Sequence, residues 1–150
     1  MLLPARDTVQ VFARIVTAYN DSPRARRALA TAVQLAAECD RPELTAVAVQ
    51  RSLLRAGDTI AEVRAAHAAG DRLCAGWLSA ALAYADEHGI ELRTEIRIGP
   101  LAYQLAAAAS ARRADLIVLG HTRHATIRRP FLGSTADQVS RYCRCPVLIV

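Results

Sequence analysis

Short apolar runs alternate with longer amphipathic segments along this chain. Residues 116–119 (LIVL) and 146–150 (PVLIV) are apolar at every position, which is typical of parallel strands covered on both faces. Residues 14–19 and 44–50 are rich in small and β-branched side chains and predict two further strands. Residues 90–98 alternate apolar and charged side chains, which predicts a strand with one wet face at an edge of the sheet.

Amphipathic segments with helix-start signals separate these runs. Ser22 followed by Pro23 predicts the N-cap and first residue of a helix. Thr59 and Glu62 have the spacing of a capping box at the start of the longest helical pattern, and Gly89 is its expected end. A further helix is predicted over residues 101–113.

One face of the longest predicted helix repeats at intervals of three and four residues. Its members are Ile60, Val63, His67, Gly70, Leu73, Trp77, Ala81 and Tyr84. On this face we interpret His67 as a packed histidine and not a ligand, and Trp77 as a core side chain and not a cofactor platform. Strands alternating with helices predict an α/β three-layer sandwich with a five-stranded parallel sheet and right-handed crossovers. We expect a single domain over residues 14–150, preceded by an N-terminal arm of residues 1–13.

A loop with basic residues and no acidic ones follows the LIVL run. It contains His121, Arg123, His124, Arg128 and Arg129 and no acidic residue. At its end Ser134 occupies an N-cap position, with Asp137 three residues later, so the last helix is predicted to begin at Thr135. The free amides and the dipole of such a helix start favour an anion, and a phosphate is the natural ligand.

The same loop resembles the nucleotide loop of the universal stress protein family. That family has Gly, two residues, Gly, nine residues, Gly and then Ser or Thr, and its last strand often begins Cys-Pro-Val. Gly120, Gly133 and Ser134 match this spacing here, but Arg123 replaces the second glycine. The resemblance implies strand order 3-2-1-4-5 in a Rossmann-like fold of the adenine nucleotide alpha hydrolase-like type. Ligands then bind at the carboxyl ends of strands one and four, where the order reverses.

Mapped onto this chain, the family pattern implies two groups of ligand-binding residues. The adenosine end comprises Ala18, Tyr19, Asn20 and Val49. The phosphate end comprises Leu119, Gly120, Thr122, Gly133, Ser134 and Thr135. Arg123 either grips the phosphates with its guanidinium or, if the position needs positive φ, costs roughly 1 kcal/mol and disturbs the loop. Asn20 stands where ATP-binding members often carry Asp to accept ribose hydroxyls, and Asp21 adds a negative charge nearby.

Two functional hypotheses remain open at this stage. The first is a regulatory protein of the stress response that binds ATP, or AMP or ADP, with Mg²⁺ accompanying ATP. The alternative is a dimeric scaffold that binds a protein partner and no nucleotide, with the loop acting only as a helix cap. Both include a homodimer formed through the C-terminal strand, which begins at Val147 and ends at Val150, because an exposed apolar edge invites pairing.

Composition and the absence of certain motifs argue against several other classes of protein. The chain has 150 residues, a net charge of +5 and 19 cationic side chains, all of them Arg, so a P-loop, which needs Lys, is excluded. No G-x-S-x-G motif supports catalysis, and we expect at most slow ATP hydrolysis. No recognition motif indicates nucleic acid, and no apolar segment indicates a membrane span or signal peptide. We therefore expect a cytoplasmic protein with reduced thiols, in which Cys143 and Cys145 are packed side chains and not zinc ligands.

Overall fold

The computed structural model describes residues 12–52, 54–121 and 135–150. Its elements alternate along the chain as predicted. They are β1 (Arg14–Ala18), α1 (Pro23–Ala37), β2 (Glu43–Gln50), α2 (Ile60–Glu87), β3 (Leu92–Ile98), α3 (Leu101–Ala111), β4 (Leu116–Leu119), α4 (Thr135–Tyr142) and β5 (Val147–Ile149). The predicted arm falls almost wholly outside the described residues. Of its members, Phe12 packs against the core and the Ala13 amide donates to Asp115.

The five strands form one sheet in the order β3-β2-β1-β4-β5, and every pairing is parallel. This order confirms the prediction and places β3 at one edge and β5 at the other. Neighbouring strands β1 and β4 lead to helices on opposite faces of the sheet, so a crevice opens between their carboxyl ends. Any ligand site that uses the switch point must lie there.

Alternation along each strand divides the core into two layers. Ile15, Leu44 and Val118 point to the face covered by α1 and α2. Val16, Val47 and Ile117 point to the face covered by α3 and α4. Because both faces are covered, the central strands are apolar at consecutive positions, which explains the LIVL run.

Helix α2 packs on the sheet through its second half only. Its buried residues are Cys74, Leu78, Ala81 and Ala85. Ile60, at 75% exposed, and Leu73, at 57% exposed, lie outside the core, whereas Trp77 packs against it as predicted. The first half of α2 extends past the carboxyl ends of the strands, where there is no sheet left to cover.

The helix ends follow the sequence signals. The Ser22 side chain accepts from the Ala25 amide, and Thr59 and Glu62 form both hydrogen bonds of the capping box. Gly89 adopts φ of 69° after α2, and the amide of Ile90 donates to Ala85 within that cap. Strand β3 therefore begins at Leu92, two residues later than predicted.

The charged face of β3 is less wet than its alternation indicates. Glu95 accepts from Arg97 at 2.7 Å and from Arg112, at the end of α3, at 3.3 Å. Arg97 also donates to Gln104 of α3. The helix therefore covers part of this face, and the charges are paired with one another.

Candidate ligand cavity at the switch point

A cavity of about 1250 Å³ opens at the carboxyl ends of β1, β2 and β4. The ends of these strands form its floor, and the first turns of α1 and α4 and the first half of α2 form its walls. It is larger than the roughly 300–1,000 Å³ of common ligand pockets. The crevice expected from strand order is therefore a real space of ligand size.

Seven of the residues predicted from the family pattern line this one cavity. They are Ala18, Tyr19, Asn20, Val49, Leu119, Gly120 and Thr135. Thr135 is also the first residue of α4, as predicted. Thr122, Arg123, Gly133 and Ser134 lie outside the described residues, so their roles stay predictions.

The turn after β1 uses its polar side chains locally. Asn20 Oδ1 accepts from the Ser22 hydroxyl at 2.7 Å and from the Ser22 amide at 3.3 Å. Because this oxygen already accepts two hydrogen bonds, Asn20 orients the N-cap of α1. The same oxygen is therefore not free to accept a hydrogen bond from a ribose hydroxyl.

The carboxylate of Asp21 is paired with two neighbouring side chains. Its carboxylate accepts from Arg26 at 3.0 Å and from the Tyr19 hydroxyl at 2.9 Å. These contacts, Arg26 first, lower the pKa of Asp21. Asp21 therefore carries the expected negative charge, and Arg26 pairs with it. Asp21 has φ of 57°, a conformation that Gly adopts freely and Asp tolerates.

Positive potential reaches the cavity from helix starts and from arginines. The N-termini of α1 and α4 both border it, through Ser22 and Thr135, and Arg24 and Arg51 are among its lining residues. Helix N-termini attract anions, and guanidinium groups bind phosphate in a fork. The cavity can therefore hold an anionic group on one side.

Helix α2 supplies a second wall that the sequence analysis assigned to the core. His67, Gly70 and Trp77 all line the cavity. Their spacing of three, then seven residues was recognised as one helix face, but no local signal shows where the sheet beneath a helix ends. Among the described residues, the buried Nε2 of His67 has no hydrogen-bond partner.

Gln50 joins this wall to β2. Its amide nitrogen donates to Asp71 Oδ1 at 2.6 Å, and a Cβ atom on Gly70 would clash with Gln50 Oε1. Gly70 thus leaves the space that the Gln50 amide fills. This contact holds the first half of α2 to the end of the sheet.

Other chemistry finds little support in the described residues. They contain no group of three or more His, Cys, Asp or Glu side chains that could hold a metal ion. No helix within the described ranges is long and apolar enough to cross a membrane. His121 lines the cavity, and its amide donates to Val150.

The fold and the cavity define a class: a doubly wound α/β protein with a ligand cavity at its topological switch point. Comparison with known families gives the finer assignment. The model of the universal stress protein family matches residues 12–150, and the chain belongs to that family.

Relatives with related sequence or structure agree with this assignment. A universal stress protein of Methanocaldococcus jannaschii is 39% identical over 66 residues, a stretch that spans 44% of this chain and 39% of the relative. The universal stress protein UspA of Lactobacillus plantarum is 25% identical with a TM-score of 0.74, and the match covers 93% of this chain and 97% of that one. A universal stress protein in complex with cAMP has the same identity, TM-score and coverage.

Proposed function

We propose that this protein binds an adenine nucleotide in the switch-point cavity, ATP first and AMP or ADP as alternatives. Occupancy would then regulate its contacts with other proteins during stress. The observation that carries the proposal is that one cavity joins an apolar wall to two helix N-termini. Such a site suits a ligand with a flat base at one end and phosphates at the other.

The apolar wall is suited to the base. Val49 and Ala18 are half-buried at the ends of adjacent strands, and Leu119 is 4% exposed beside them. A purine placed on this wall would bury one face against aliphatic carbon, which is favourable by roughly 25 cal/mol per Å² of apolar area.

The basic wall is suited to the phosphates. Arg24 lies in the first turn of α1, and Arg51 directly follows β2. Any Mg²⁺ that accompanies ATP would be held mainly by the phosphates, since the described residues lack a metal-ligating cluster. The bound cAMP in a neighbour of 25% identity supports an adenine nucleotide in this family fold.

Calorimetric titration with ATP, AMP, cAMP and adenosine tests the proposal. Val49→Trp should fill the base end and lower the affinity for all four ligands at least about tenfold. Leu82→Trp is the matched control, since Leu82 is an exposed α2 residue that does not line the cavity. Absence of binding at millimolar ligand would leave the scaffold as the function.

The phosphate end has its own test. Arg24→Gln should weaken ATP about tenfold and leave adenosine unchanged, because only ATP places charge beside the guanidinium. Arg27→Gln, an exposed α1 position outside the cavity, is the control. Equal losses for ATP and adenosine would show that the phosphates lie elsewhere.

Homodimerisation through β5 is a second proposal, and the exposure of this edge supports it. Leu148 is 36% exposed and Ile149 is 47% exposed on a strand that has one strand neighbour in the sheet. Leu148→Arg should convert a dimer to a monomer in sedimentation at micromolar protein. Leu82→Arg, with a similar exposure of 42%, should not. A monomeric wild-type protein would refute the dimer.

A further inference from the structure

Two cysteines at the other end of the sheet form a close pair that the nucleotide site does not use. Cys143 follows α4 and Cys145 precedes β5, and their sulfur atoms lie 2.8 Å apart. A disulfide bond is about 2.05 Å long, so a shift of less than about 1 Å would join them. Both side chains are half-buried against the layer of the core under α3 and α4.

Backbone contacts fix both cysteines in this arrangement. The Cys143 amide donates to Val139 at 2.9 Å as the last bond of α4, and the Cys145 amide donates to Cys143 Sγ at 3.3 Å. The carbonyl of Pro146 accepts from Ile117 at 3.0 Å and starts the pairing of β5 with β4. The sulfurs are therefore held together by a folded turn and not by chance contact of two mobile side chains.

We propose that Cys143 and Cys145 are a redox modification site, which a hydroperoxide converts to a reversible intramolecular disulfide. Nothing in this proposal depends on nucleotide binding. The pair lies at the amino end of β5, whereas Ile149, at the opposite end of that strand, lines the cavity.

The two thiols have different roles in this reaction. Burial, then the hydrogen bond and charge of Cys143, raise the pKa of Cys145 to about 12. Cys143 is the attacking sulfur in this proposal, because the Cys145 amide donates to its Sγ at 3.3 Å.

The reaction balances in two displacements. The Cys143 thiolate attacks one peroxide oxygen, the O–O bond breaks, and Cys143 becomes a sulfenic acid while an alcohol leaves. The Cys145 sulfur then attacks Cys143, displacing hydroxide that departs as water with the Cys145 thiol proton. Two thiols and one hydroperoxide thus give one disulfide, one alcohol and one water. A small dithiol restores the reduced pair by thiol–disulfide exchange.

Peptide mapping after exposure of the reduced full-length protein to limited hydrogen peroxide tests the proposal. The peptide with both cysteines should lose two hydrogen atoms, resist alkylation and recover with dithiothreitol. Once the first sulfenic acid has formed, the pair should close to its disulfide at least about tenfold faster than the half-buried single thiol Cys39 oxidises further, because the partner thiol is already in place. Oxidation of Cys39 at an equal or greater rate, or separate sulfinic acids on the pair, would overturn the proposal.

Single substitutions separate the two roles. Cys145→Ser should leave Cys143 reactive and trap it as a sulfenic acid, whereas Cys143→Ser should slow the reaction of Cys145 at least about tenfold. Equal reactivity in both variants would refute the assigned order. The wild-type kinetics decide the proposal even if a variant does not fold.

Discussion

Gly120 packs directly against the backbone of Arg24, where the end of β4 meets the first turn of α1. A Cβ atom on Gly120 would lie 2.5 Å from the Arg24 carbonyl oxygen and 2.7 Å from its carbonyl carbon. The glycine is thus required by the close approach of a helix to a strand end, beside the proposed ligand. This contact sets the position of the α1 N-terminus relative to the cavity.

Gly120→Ala should destabilise the protein by about 2–3 kcal/mol, because backbone and not a flexible side chain must move. Chemical denaturation measures this change. Gly76→Ala is the control, since a Cβ there meets nothing within 4 Å in the middle of α2. It should stabilise by about 0.5–1 kcal/mol through helix propensity. If Gly120→Ala leaves the stability unchanged, the close packing at Gly120 is contradicted.

Two helices end in the same hydrogen-bonded motif with different residues at the key position. After α2, Gly89 donates to Asp86 and Ile90 to Ala85; after α3, Arg113 donates to Ser110 and Ala114 to Ala109. Both Gly89 and Arg113 have positive φ, of 69° and 49°. Arg113 therefore bears a strain that Gly89 avoids.

Arg113→Gly should raise the free energy of unfolding by roughly 0.5 kcal/mol, the relief of strain less the added backbone entropy of the unfolded chain. Gly89→Ala should lower it by about 1 kcal/mol. Thermal denaturation of both variants under one condition measures the pair. Opposite signs are required, and a shared sign would show that the caps are not equivalent.

Glu95 is the shared acceptor of Arg97 and Arg112, and all three side chains are less than a third exposed. Glu95→Gln should destabilise by about 1 kcal/mol, because two partly buried guanidinium groups lose their counter-charge. Glu43→Gln is the control, since Glu43 meets its arginines at 4.0 and 3.8 Å and is 44% exposed. It should change stability by less than about 0.5 kcal/mol. Equal effects in urea denaturation would show that partial burial adds nothing to the Glu95 pair.

The raised pKa of Tyr19, a residue that lines the cavity, makes the stability of the protein depend on pH in the alkaline range. Burial raises the pKa of its phenol, Asp21 raises it further as hydrogen-bond partner and as a charge, and Arg26 opposes them. A raised folded-state pKa adds stability that is complete below the unfolded pKa of about 10 and is lost as pH rises through the folded value.

Tyr19→Phe should therefore lose less stability than the wild type between about pH 9 and about pH 11. At neutral pH it should be less stable by about 1 kcal/mol, because Asp21 loses a hydrogen bond. Denaturation across this pH range measures both effects. Parallel pH curves for the two proteins would contradict the role of Tyr19 in alkaline unfolding.

Local sequence patterns predict much of the fold. The consecutive apolar residues of 116–119 predict a central strand, because a strand covered on both faces has no polar side. Ser22, Thr59 and Gly89 predict helix ends that the structure confirms, because capping depends on neighbours within a few residues. The strand order came with the family resemblance, and the seven predicted residues that line one cavity were found through it.

Tertiary structure decided what those patterns leave open. His67 shares a helix face with Ala81 and Tyr84, yet it borders the cavity, because the first half of α2 extends past the end of the sheet. Trp77 packs against the core and also lines the cavity. The side-chain oxygen of Asn20 accepts hydrogen bonds from Ser22, and the carboxylate of Asp21 forms an ion pair with Arg26. Only the folded geometry shows these contacts. The sequence by itself determined the order of the elements and the capped helix starts, since these depend on residues near in the chain, whereas β3 and α3 differ from their predicted bounds by two residues. The cavity, its charged partners and the approach of Cys143 to Cys145 depend on where separate elements stop, and that is set by packing.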